Sequence, residues 1–108
     1  MNRTIAMLAL CVLSTAAGAA GNADRGAEKA KQVCAACHGA DGNTPLQAEY
    51  PRIAGQHEDY LYKALRDYKS GARKNAIMGA QAANLSRQDM QDLATYFSGQ
   101  KGPLGVIR

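Results

Sequence analysis

The chain has no tryptophan and a single phenylalanine, Phe97, among 108 residues. Its large rings are otherwise five tyrosines. Histidine occurs twice, as His38 and His57, and cysteine three times. A structural zinc site would need a second ligand pair that these residues do not supply. No apolar run reaches the ~20 residues that a membrane span requires; the longest, Ile5 to Leu13, stops well short. No convincing parallel-strand run is present, which argues against βαβ units and the dithiol folds built on them. The formal charge of +4 comes from 13 basic and 9 acidic residues, too modest and too mixed for nucleic-acid binding. Repeats, low-complexity tracts and a second-domain linker are absent as well, so the length allows one domain.

The N-terminus has a positive start, Met1-Asn2-Arg3, then the apolar run, then small residues from Ser14 to Ala20. That order is the one of a secretory leader, with Ala17-Gly18-Ala19 offering an A-x-A cut. We read residues 1–20 as a cleaved signal and 21–108 as the domain. Leu10 is too bulky to precede a lipidated Cys11. Cleavage removes Cys11 and leaves Cys34 and Cys37, an even pair compatible with export. The expected location is the periplasm, with no stable membrane insertion once the leader is gone.

The chemistry is concentrated in Cys34-Ala35-Ala36-Cys37-His38. Cys-x-x-Cys-His is the attachment pattern of a c-type haem. Two thiols at this spacing add across the two vinyl groups on one porphyrin edge, and the imidazole that follows lies beneath the iron. A plain disulfide here would close too small a loop to gain much chain entropy. A domain of 88 residues buries only roughly 60–65% of its unfolded surface. One covalently bound haem c would supply core volume that the side chains do not.

Around this motif the pattern is helical. Asn22-Ala23-Asp24 caps a helix from about Arg25 into the motif, with Ala30, Val33, Cys34 and Cys37 on one face. Thr44 to Gln56 reads as irregular, broken by Pro45 and Pro51. His57 to Lys69 is amphipathic, with Leu61, Ala64, Leu65 and Tyr68 at i, i+3, i+4 and i+7 and an expected Asp59–Lys63 pair. Residues 72–85 read as a loop or short turns. Ser86, with Asp89 three residues on, opens a last helix carrying Met90, Leu93, Ala94 and Phe97. The expected fold class is all-α: three to four helices wrapped around the haem, with no sheet.

A second axial ligand has three candidates: Met78, Met90 and His57. Met90 lies on an apolar stripe, where methionine usually fills core. His57 starts a charged helix and reads as a surface or capping residue. Met78 sits between two helices beside Gly79 and is the preferred reading; its thioether would favour reduced iron and raise the potential. Ordinary packing is the plainer alternative.

Taken together, these residues resemble a class I cytochrome c of the small soluble bacterial monohaem type. Gly26 and Ala30 before the motif, and Leu93 and Tyr96 in the last helix, resemble that family's crossing helices. Tyr50-Pro51-Arg52-Ile53-Ala54-Gly55-Gln56-His57 with Tyr60-Leu61, and Ser70-Gly71-Ala72-Arg73 leading to Met78, are similar to one half of the dihaem c-four group. Ala30 departs from the family, which often has an aromatic there. The resemblance implies Met78 as distal ligand to His38, a partly exposed Cys-bearing haem edge, Pro51 near His38, and Arg52 near a propionate.

The expected function is a periplasmic one-electron carrier, not an enzyme, with Cys34 and Cys37 holding the haem and His38 and Met78 holding iron. Its partners would be redox proteins, an acidic docking surface among the options, together with the cytochrome c maturation machinery. The basic run Lys63, Arg66, Lys69, Arg73 and Lys74 could steer such a partner. Interleaved with Asp59 and Asp67, it reads better as a solvated helix face. The alternatives are a five-coordinate haem enzyme or gas or peroxide sensor, and an electron-transfer subunit of a larger oxidoreductase.

Overall fold

A computed structural model describes residues 21–104, together with Ala9. The remainder of the expected leader and the last four residues lie outside the described residues. The described chain is all helical: α1 (Ala23–Val33), α2 (Ala35–His38), α3 (Glu58–Ser70), α4 (Ala76–Ala82) and α5 (Arg87–Ser98), with no strand among them.

Two of the expected starts are built as the pattern suggests. The Asn22 side chain accepts from the Arg25 N–H and opens α1. At α5 the Ser86 hydroxyl accepts from the Asp89 N–H, while the Asp89 carboxylate accepts from the Ser86 N–H, a complete capping box. Helix α3 ends at Gly71, whose φ of 85° is left-handed and suits a residue without Cβ.

Helices α1 and α5 cross face to face. A Cβ added to Gly26 would lie 2.1 Å from the Asp92 carbonyl oxygen, so only glycine permits this approach. An ionic clasp flanks the crossing. The Asp92 carboxylate, 4% exposed, accepts from Arg25 Nε at 2.9 Å, the Asn22 N–H at 2.7 Å and Gln88 Nε2 at 2.8 Å. Burial raises its pKa, but Arg25 and these other donors outweigh burial and hold the carboxyl below its ordinary range.

The core contains Ala30, Leu61, Ala82, Leu85, Met90, Leu93, Ala94 and Phe97. The α5 stripe is fully buried, as its spacing predicts; Met90, Leu93, Ala94 and Phe97 are each 4% exposed or less. On α3 only Leu61 is buried, whereas Ala64, Leu65 and Tyr68 remain half-buried. Between α2 and α3 the irregular segment is tied inward. Gly42 O accepts from the Ile53 and Ala54 N–H groups, Phe97 O from Gly55, and Ala40 O from the Tyr96 hydroxyl.

Two expectations are corrected. Residues 76–82 form a helix rather than a loop. The Asn75 side chain accepts from the Ile77 and Met78 N–H groups, both at 3.0 Å, and alanine-rich sequence then propagates it. The second correction concerns Lys63, which pairs with Asp67 and not with Asp59. Asp59 lies in the first turn, where its carboxylate accepts the Tyr60 N–H instead.

Candidate haem crevice

The two cysteines flank a single helical turn. Cys34 forms the joint between α1 and α2, its N–H bonded to Ala30 O, and its own carbonyl accepts from Cys37 and His38. Residues three apart on such a turn share a side, so both half-buried thiols face one way. No disulfide joins them. Burial, then the neighbouring Cys37, pushes the Cys34 thiol up to about 11. A redox dithiol of the Cys-x-x-Cys kind depends on the opposite shift, because the thiolate is its nucleophile.

His38 follows at 7% exposure. Its Nδ1 lies 2.8 Å from Pro51 O, and a carbonyl oxygen can only accept. Nδ1 therefore carries the proton, leaving the Nε2 lone pair for a metal, which is how a second partner fixes a ligating imidazole. The Tyr50 ring stands 6.5 Å away, tilted against the imidazole.

Two adjoining crevices of about 210 Å³ each open beside this ring. Both are lined by Cys34, His38, Pro51, Leu65, Tyr68 and Met78. One extends under α3 and α5 to Leu61, Ala64, Leu93, Ala94 and Phe97, with Arg52 and Arg73 among its walls. The other contains Cys37, Val33, Ile77 and Leu85. The α3 stripe thus serves as crevice wall, which explains why it is less buried than that of α5.

Of the three candidate second ligands, Met78 alone reaches this site. Met90 is 4% exposed within the core, and His57 is the exposed residue preceding α3; neither lines a crevice. Several lining residues were not anticipated from sequence: Gln56, Tyr60, Tyr68 and Arg73. For Tyr68 the signal was its place on the α3 stripe. Arg73 belongs to the basic run in sequence, yet its guanidinium lies 4.8 Å over the Tyr68 ring.

These residues fit a porphyrin. Two thiols share one side of a turn, a buried imidazole has one nitrogen committed and one spare, a thioether borders both crevices, and apolar side chains dominate the walls. Fold and site together define a small all-helical protein built around a covalently held haem. A sequence model of the family described as Cytochrome c matches residues 23–101, and the chain belongs to that family. Its cofactor is accordingly haem c, bound covalently.

The chain is 46% identical over 107 residues to cytochrome c4 of Pseudomonas aeruginosa, covering 98% of this chain and 52% of the relative. It is 40% identical over 85 residues to cytochrome c-554(548) of Halomonas halodenitrificans, covering 76% of this chain and all of the relative. The crystal structure of reduced recombinant cytochrome c4 from Pseudomonas stutzeri superposes with a TM-score of 0.70 at 44% identity, covering 77% of this chain and 47% of that one. The chain therefore spans about half the length of its cytochrome c4 relatives, in keeping with its single haem motif.

Proposed function

We propose that the protein is a periplasmic one-electron carrier in which Cys34 and Cys37 form the thioethers and His38 and Met78 are the axial ligands. The observation that carries this reading is the lining of the second crevice, where both thiols, the imidazole with its spare nitrogen and the thioether border one space. Bound haem c supplies a one-electron iron couple. The chain's own part is to hold that site still and dry. Pro51 O orients His38, Leu65, Leu93, Ala94 and Phe97 exclude water, and Arg52 and Arg73 offer positive charge for the porphyrin carboxylates. His38 and Met78, both held by the fold beside the crevice, would keep rearrangement small on electron transfer.

The ferric absorption spectrum of the exported protein tests cofactor and ligands together. We expect a low-spin spectrum with the weak far-red band of methionine-ligated ferric haem. A high-spin spectrum would instead favour the five-coordinate enzyme or sensor. The relatives' names supply a second reading: one 43% identical over 98 residues is called a thiosulfate dehydrogenase electron acceptor, and one 38% identical over 64 residues a cytochrome subunit of sulfide dehydrogenase. Size-exclusion of the native extract separates a free carrier from a bound subunit.

A further inference from the structure

Helix α4, which carries Met78, is a weakly held element. It has only seven residues, too few to be stable alone, and its packing among the helices is mainly against α3. Met78 and Gly79 are half-buried, and Ile77 is 51% exposed. At its start the segment is fixed by Asn75. At its end Ala82 and Leu85 enter the core, with the Leu85 N–H bonded to Ala82 O at 3.1 Å.

A further tie comes from the end of α3. Lys69 Nζ donates to Leu85 O across sixteen residues of sequence, in a partly buried contact. Its neighbours in the basic run act differently: Lys63 pairs with Asp67 on its own helix, Arg66 lies over Tyr62, and Arg73 lies over Tyr68. Lys69 instead bridges the whole excursion from Ser70 to Asn84. It also places a cation just past the C-terminal end of α4, the favoured end for positive charge.

We propose that Lys69 is a positioning residue: a latch that holds α4 closed over the crevice and sets how readily Met78 leaves it. This rests on Met78 being the distal ligand. Without the latch, α4 would remain tethered by Ala82 and Leu85 but would swing more freely about Gly71 and Asn75. The consequence would be a site that opens locally to small ligands while the fold persists.

The test uses exported holoprotein with Lys69→Leu, Lys69→Arg and, as a control, Arg87→Gln. Arg87 Nε donates to the Tyr62 hydroxyl at 3.2 Å, a bond that joins α5 to α3 and not to α4. The ferric far-red band and the helical circular dichroism are followed through urea, and carbon monoxide uptake is timed on the reduced protein. For Lys69→Leu we expect the band to vanish at lower urea than the helix signal, with uptake faster by about five- to tenfold, as for loss of one partly exposed hydrogen bond of ordinary net strength. Lys69→Arg should restore both, and Arg87→Gln should shift band and helix signal together. If Lys69→Leu fails to accumulate, Lys69→Gln is judged by the same two readouts. A parent protein lacking the band overturns the Met78 assignment and the latch with it. A parent with the band, but a Lys69→Leu or Lys69→Gln variant that behaves like Arg87→Gln or like the parent, overturns the latch alone.

Discussion

On the proposed ligation, Met78 would decide between electron transfer and ligand chemistry. If Met78 is that ligand, replacing it with alanine removes a soft neutral donor that favours reduced iron. Met78→Ala should lower the midpoint potential by on the order of 100 mV, inside the roughly 0.8 V that axial ligands command. The reduced variant should also bind carbon monoxide; potentiometry giving an unchanged midpoint would move the ligand elsewhere. A second prediction concerns the thioethers. Cys34→Ser combined with Cys37→Ser should yield a mass equal to the bare polypeptide, and acid-acetone should extract whatever pigment remains. These groups were readable in the sequence because the attachment chemistry occupies five consecutive residues. The carbonyl that orients His38 has no such signal in the residues themselves, since every residue has one; only the family resemblance places Pro51 near His38, as found, and the path of the loop selects its carbonyl.

At the scale of elements, the α1–α5 crossing depends on contacts a longer side chain would destroy. Gly26→Ala places a methyl against backbone rather than a flexible side chain, so the helices must part. The expected cost is about 2 kcal/mol, or ~10 °C in melting temperature for a domain of this size, measured by thermal denaturation. The neighbouring clasp has a pH signature. Because the folded state holds the Asp92 carboxyl below its ordinary value of 3.8, its contribution is complete above that pH and fades as pH falls through the folded value. Asp92→Asn should therefore flatten the stability profile below pH 3.8, as urea midpoints across an acid series would reveal. Helices α1, α3 and α5 were legible because each combines a long apolar stripe with capping or charge signals at its ends. Helix α4 has little sequence signature: three alanines, a glycine, a glutamine, one isoleucine and one methionine show almost no periodicity, and tertiary anchors at Ala82 and Leu85 hold it. The Asn75 cap was the available clue. The intermediate burial of the α3 stripe was equally invisible, since a pattern of apolar residues does not say whether its partner is another helix or a porphyrin.

For the whole molecule, the distribution of charge bears on how partners meet it. Lys63, Arg66, Lys69 and Arg73 are each engaged with a carboxylate, a ring or a carbonyl. Meanwhile residues 75–86, which border the crevice containing Cys37, include no charged side chain. Because that bordering segment is uncharged, association through it should depend little on long-range attraction. We expect the second-order rate with the acceptor to change less than about threefold between low and physiological salt, where a steered encounter would fall steeply. Stopped-flow kinetics across ionic strength decides this. The ring inventory has an optical corollary. Three of the five tyrosines, Tyr50, Tyr60 and Tyr68, border the crevices, and no indole is present to mask their emission. Intrinsic fluorescence excited in the near ultraviolet should accordingly be dark in the pigmented protein and brighten as the helices draw apart, giving every unfolding experiment above a built-in, label-free gauge of distance from the chromophore.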